Sequence, residues 1–566
     1  MLKKLFIAFL LVTLSACASN GKRDETRVGE PGTFTTGSPH ADAIYNVLVA
    51  ELALKRNLPE IAAQYYLAAT KQTKDPVIAG LAVRVATFAK DDAAALEAAE
   101  IWQQVEPENR EVLEYLGVLY LRNSQFEKAK SILVRLLEEE AGKTTLSSRF
   151  LGMGALLQRE ADPTAAHELA QHLIKGHEKL AEAQYFAASI ALRSGKKEMA
   201  LEHATVAVKL NKKWDQAIIL KGRVLETMER MDETLKELEN FLKKQADAHE
   251  VRRYYASVLL NERQYKQARS QYEILVVKMP DDPDILFALA VLAYEFKELD
   301  EAQAYLEQVD QLGKRSPRET YFLGQIAEEK KEYDRAIEWY SRVHRGQYAL
   351  KAQLRIGAVL LESKSLEAAR KHVQQINAPT EQIKLEILRF EGSLIKDAKE
   401  YGQAFDFYSD LLDDFKNNPE ILYDRALIAE RLDKLDLAVK DLSYIVKQQA
   451  DNAAALNALG YTLADRTDRL DEALGYIKRA LELQPNDPAI MDSMGWVQYR
   501  LGNHQDALKF LQQAMDIIED GEVSAHFGEV LWQLGRKDEA KKVWQKAAKK
   551  FSDSKTLANT MKRFGL

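Results

Sequence analysis

Three histidines, His167, His172 and His177, stand five residues apart in a stretch with helical patterning. The run His167-Glu168-Leu169-Ala170-Gln171-His172 approaches a zinc-protease motif, with one residue too many between its histidines. Two imidazoles share a metal from one helix when they are four residues apart and on one face. A spacing of five turns them about 140° apart, so surface histidines are the expectation and no metal site is predicted. Gly152-Met153-Gly154 offers two glycines of a dinucleotide loop, but neither a third glycine nor a preceding strand; close packing accounts for it better. Ser194 and Lys197 form a Ser-x-x-Lys without the companion motifs of acyl-transfer enzymes. The chain has no P-loop and no Gly-x-Ser-x-Gly. The sequence therefore predicts no catalytic residue, no cofactor and no small-molecule substrate; the chain reads as a non-enzyme.

A ladder of small residues shows what the chain builds instead. Ala62, Ala98, Ala129, Ala166, Ala200, Thr234, Ala268, Ala302, Ala336, Ala369, Ala404, Ala438, Ala473, Ala507 and Ala540 recur roughly every 34 residues. About twelve residues before each rung stands a second small residue, among them Ala50, Gly117, Gly324, Gly460, Gly495 and Gly528. Between them lies helical periodicity. In the unit at 280–309, Ile285, Leu286, Leu289, Leu292 and Ala293 form one apolar face. After a turn at 297–300, Ala302, Tyr305, Leu306 and Val309 form another. Two short antiparallel helices approach closely only where side chains are small, which predicts Gly or Ala at both positions. Pro107, Pro280, Pro419, Pro485 and Pro488 fall between units, and Asp281, Asp282, Asn418, Asn486 and Asp487 beside them are candidate N-caps.

This pattern resembles the tetratricopeptide repeat. Leu456, Leu459-Gly460, Leu463, Ala473, Ala480 and Pro485 follow its signature, as do Met494-Gly495, Ala507 and Ala514, then Phe527-Gly528, Ala540 and Ala547. The resemblance implies an all-α fold, a right-handed superhelical solenoid of about 13–15 helix pairs. The expected organisation is degenerate helical repeats at 41–110, a regular superhelix at 111–550 and a capping helix at 551–566, with a few residues inserted at 138–148. In that family the first helix of each pair lines the concave face. The family's groove positions fall on Asn457, Tyr461, Asp492, Trp496, Tyr499, Arg500 and Trp532, and farther back on Phe287, Tyr294, Tyr321 and Tyr423. Aromatic rings with arginine and amide neighbours suit a protein interface; packing between neighbouring helices is the competing reading. Arg253 and Arg389 stand at the positions of the family's carboxylate clamp without its companion residues. The same reading expects Ala438→Leu to destabilise the array and Trp496→Ala to spare folding while weakening a partner.

The amino terminus reads as an address. Lys3 and Lys4 precede the apolar run Leu5 to Leu14, which is too short to span a bilayer. Leu14-Ser15-Ala16-Cys17 follows, and Cys17 is the chain's one cysteine. The tetrapeptide resembles a bacterial lipobox, implying removal of a signal peptide at 1–16 and acylation (palmitate among the acyl chains) of Cys17. Ala18 in the next position implies the outer membrane, facing the periplasm. Residues 17–40 lack apolar periodicity and read as a disordered tether with a mean reach of ~25 Å. The net charge of −7 without a basic stripe argues against nucleic acid.

Lipobox, tether and repeats together are similar to the proteobacterial outer-membrane lipoproteins with long repeat arrays. The segments 492–502 and 525–532 look most like the lipoprotein partners of carboxyl-terminal processing proteases (the LbcA family). That resemblance implies an adaptor whose partners are a periplasmic carboxyl-terminal processing protease and its peptidoglycan hydrolase clients. The alternative is an assembly factor for an outer-membrane machine, a pilus or secretin or an exopolysaccharide exporter.

Overall fold

The computed structural model describes residues 37–138 and 145–566. The lipobox-like run with Cys17, the expected signal segment and nearly all of the expected tether lie outside these residues, as does most of the insertion expected at 138–148. Among the described residues there are 31 α-helices, from Pro39–Lys55 to Lys555–Arg563, and no β-strand. They form fifteen consecutive pairs and one final helix. Among the described residues, no helix is long and apolar enough to cross a membrane.

The chain divides into two compact units, Met1–Lys278 and Met279–Leu566. In the first, the described helices make seven pairs, ending at Tyr265–Lys278. In the second, eight pairs are followed by Lys555–Arg563. Within each unit a helix packs on its partner, on the next pair and, in most repeats, on the first helix of that pair. The final helix contacts Gly521–Gln533 in the same way and so occupies the place of a next first helix.

Every rung of the predicted ladder, from Ala62 to Ala540, has no exposed surface at all. The preceding position explains itself by contact. A Cβ on Gly324 would stand 2.5 Å from the Tyr340 ring, and one on Gly495 would stand 2.5 Å from Leu511. At Gly528 the Trp544 indole occupies that space. Each of these glycines thus admits a large side chain from the second helix of its own pair, sixteen residues on. Gly154 is also closely packed, against Phe186 of the next pair, whereas Gly152 has open space beside it.

Asp282, Asn418 and Asp487 cap the helices Pro283–Glu295, Pro419–Arg431 and Pro488–Arg500, each carboxylate or amide oxygen accepting two backbone N–H groups. Their neighbours Asp281 and Asn486 do not cap. The turn expected at 297–300 is shorter. Lys297 takes a left-handed φ of 61° and the second helix already starts at Leu299.

Candidate protein-binding surface

Four first helices follow one another at the end of the second unit: Ala453–Arg466, Pro488–Arg500, Gly521–Gln533 and Lys555–Arg563. Asn452, Asp487, Asp520 and Ser554 fix where each begins by capping its first turn. Because the repeats stay in register, side chains at equivalent positions line up from helix to helix. They enclose a cavity of about 610 Å³ whose walls include Tyr461, Asp465, Trp496, Glu522, His526, Glu529 and Arg563, with Tyr401 and Arg431 from earlier repeats. A second cavity of about 350 Å³ shares Tyr461 and Glu522 and adds Tyr423, Leu427, Asn457, Asp492 and Ile518.

His526 is the hub. It is buried, its Nδ1 lies 3.0 Å from Asp492 Oδ1, and its ring stacks on Trp496 with centroids 4.2 Å apart. Burial works against charge on the imidazole, but the Asp492 carboxylate, with Glu522 and Asp465 nearby, holds its pKa above the ordinary histidine value. Trp496 donates from Nε1 to Asp465 Oδ1 at 3.1 Å. The Tyr461 hydroxyl donates to Glu522 Oε1 at 2.7 Å, and burial with these carboxylates raises the phenol's pKa well above its usual value. Tyr499 donates to Glu529 Oε1 at 3.0 Å; burial and that carboxylate push its pKa up to about 12. Arg563 pairs with the other oxygen of Glu529.

The seven residues taken from the family's groove positions therefore divide. Asn457, Tyr461, Asp492 and Trp496 line one or both cavities. Tyr499 stands behind them, its ring 5.2 Å from Trp496. Arg500 turns away: its guanidinium donates to the carbonyls of Ala464, Asp465 (3.0 Å) and Thr467 (3.2 Å), at the end of Ala453–Arg466. Arg193 does the same to Leu157 and Ala161 in the first unit, both at 2.9 Å. Trp532 packs in an aromatic cluster, 5.9 Å from Trp544 and 5.2 Å from Phe564. Asn457 Oδ1 is buried without a hydrogen-bond donor among the described residues, an arrangement worth about 1–3 kcal/mol of lost solvation. A backbone N–H of an incoming chain would satisfy it once the amide turned toward the cavity.

Sequence reasoning did not single out His526, Glu522 or Glu529. One signal was available: Asp492 and His526 are 34 residues apart, one repeat length, so the solenoid brings them together. Farther back, Phe287 and Tyr294 pack on Phe322 at 5.6 and 5.2 Å, with Arg318 over the Phe287 ring at 4.0 Å. Arg389 is held by Asp424 and Glu420. His167 and His172 ride on Pro163–Leu173, while the His177 ring meets Phe150 edge-on at 5.4 Å. Ser194 donates to the Ile190 carbonyl of its own helix end. Among the described residues no group of three or more His, Cys, Asp or Glu could hold a metal.

Tetratricopeptide-repeat family models match residues 256–317, 451–520 and 526–554. The TPR repeat-containing protein PA4667 of Pseudomonas aeruginosa is 33% identical over 497 residues, spanning 87% of this chain and 83% of that protein. The chain belongs to the tetratricopeptide-repeat family. Among solved structures, a thermophilic TPR protein of Thermus thermophilus shares 22% identity over 32% of this chain and 97% of its own, with a TM-score of 0.29. Pseudomonas aeruginosa pilF shares 16% over 38% and 97%, with a TM-score of 0.32. At those scores neither bears on function. Tetratricopeptide repeats are protein–protein interaction scaffolds, and this chain is one.

Proposed function

We propose that the chain is an outer-membrane-anchored periplasmic adaptor that binds a carboxyl-terminal processing protease and presents peptidoglycan hydrolases to it. The observation that carries the binding half is the run of cavities along four successive first helices, where rings, carboxylates and an amide face one groove. That mixture suits an extended protein segment: rings for apolar side chains, Asn457 and Glu522 for backbone groups. The anchor rests on the lipobox-like Leu14-Ser15-Ala16-Cys17, and the identity of the partners on the resemblance to the LbcA family. Affinity purification from detergent-solubilised membranes tests the reading. A carboxyl-terminal processing protease should co-purify, and hydrolase levels should rise on deletion. Reproducible absence of any such protease, or loss of pili or exported polymer with unchanged hydrolase levels, would reject it.

A further inference from the structure

A second cleft lies away from this groove, on the face carried by second helices. It has a volume of about 490 Å³. One wall is Ser409, Leu412 and Asp413 of Tyr401–Asp414, continued by Lys416 and Asn417 in the turn. The other is Lys440, Ser443, Tyr444 and Lys447 of Leu435–Gln448. Leu422 and Arg425 form the floor with Asp441.

Several donors of the cleft have no protein partner among the described residues. Most arginines of this unit are ion-paired, yet among the described residues Lys416, Lys440 and Lys447 have no carboxylate partner. The Ser443 and Tyr444 hydroxyls likewise have no hydrogen-bond partner there. Arg425 is held in place by Asp441, with Nε and Nη2 donating at 2.8 and 2.9 Å. Its Nη1 reaches only Ser409, at 3.5 Å, and keeps donor capacity toward the cleft. Asp413 is the one lining carboxylate without a paired cation among the described residues.

We infer that this cleft docks an acidic, extended segment of a partner protein. The charge is complementary, and it is local. The chain as a whole carries −7, so a long nucleic acid would meet repulsion beyond the cleft, and a flat membrane cannot enter between two helices. Spacing sharpens the ligand. Lys440 and Lys447 are two turns apart on one helix face, about 10.5 Å along the axis. In a polyproline-type segment, residues three apart share a side and are about 9.3 Å apart. Carboxylates at every third position would therefore reach both lysines, with Lys416 facing them across the cleft. The site is separate from the first-helix groove, so a scaffold built this way holds two proteins at once.

Fluorescence anisotropy on the purified full-length chain tests this, with a labelled peptide of repeated glutamate–proline–proline units as probe. Binding should weaken steeply with salt. Combining Lys416→Glu, Lys440→Glu and Lys447→Glu should weaken it by about tenfold or more, with an unchanged circular dichroism spectrum. Lys478→Glu, on the neighbouring repeat, should leave it intact. The proposal is overturned if the triple variant binds as well as the parent, or if a glutamine–proline–proline peptide binds equally. It is also overturned if the acidic peptide fails while phospholipid vesicles containing phosphatidylglycerol, or single-stranded DNA, bind through the same lysines.

Discussion

Burial and charge pull His526 in opposite directions, and the carboxylates prevail: its pKa in the folded chain lies above the ordinary value of about 6.5. A raised pKa means that the Asp492–His526 pair stabilises the fold fully below about pH 6.5. That contribution is lost as pH rises through the folded-state pKa. Thermal melts of the parent and of His526→Gln should thus differ most below about pH 6.5, and the gap should narrow as pH rises beyond it; a constant gap would show that the imidazole does not titrate as described. Trp496 changes the expectation drawn from sequence. It is only 7% exposed, stacked on His526 and bonded to Asp465. Trp496→Ala should therefore not spare folding. It should cost about 3–5 kcal/mol, read as a lower urea midpoint. Tyr461→Phe is the cleaner probe of the groove, since it removes only the hydroxyl on Glu522. It should leave the unfolding free energy from urea denaturation within about 1 kcal/mol of the parent while altering partner affinity in a pull-down titration.

At the scale of the helix pair, the period of the small residues was legible because tight contact is a local demand, repeated at every unit. Ala438 is fully buried. Ala438→Leu should overpack its pair and cost about 1–3 kcal/mol, detectable by urea denaturation. Arg500 was harder to read. A long cation at a groove position suits a ligand or a neighbour equally, and only coordinates show its guanidinium against carbonyls 33 to 36 residues earlier. Arg500→Ala should leave those carbonyls to water and loosen the end of Ala453–Arg466, seen as faster amide hydrogen exchange at residues 463–468. Unchanged exchange there would assign the arginine to a partner instead. Trp532 shows the same ambiguity: an aromatic at a first-helix position fits a groove, but here it is half-buried against Trp544 and Phe564.

For the whole molecule, the proposed anchor and the scaffold make separable demands. Cys17→Ser should move the chain from the membrane to the soluble fraction without changing its helicity, because all 31 described helices begin at Pro39 or later. Retention of the variant in membranes would remove the lipid anchor from the reading. The two cavities of the second unit and its separate basic cleft further predict that groove and cleft ligands bind without competing, a point that mixed-ligand anisotropy checks directly.

Helix content, repeat length, the buried ladder and three of the five expected caps (Asp282, Asn418 and Asp487) were written in the sequence, since each follows from contacts within one repeat or with its neighbour. What tertiary structure decided was the use of each polar side chain. Asp492 meets His526, Tyr499 meets Glu529 and Arg425 meets Asp441 only when helices stack in a particular register. A hydrogen bond is set by tenths of an ångström and by direction, whereas a periodic pattern of small and apolar residues specifies only which face turns inward.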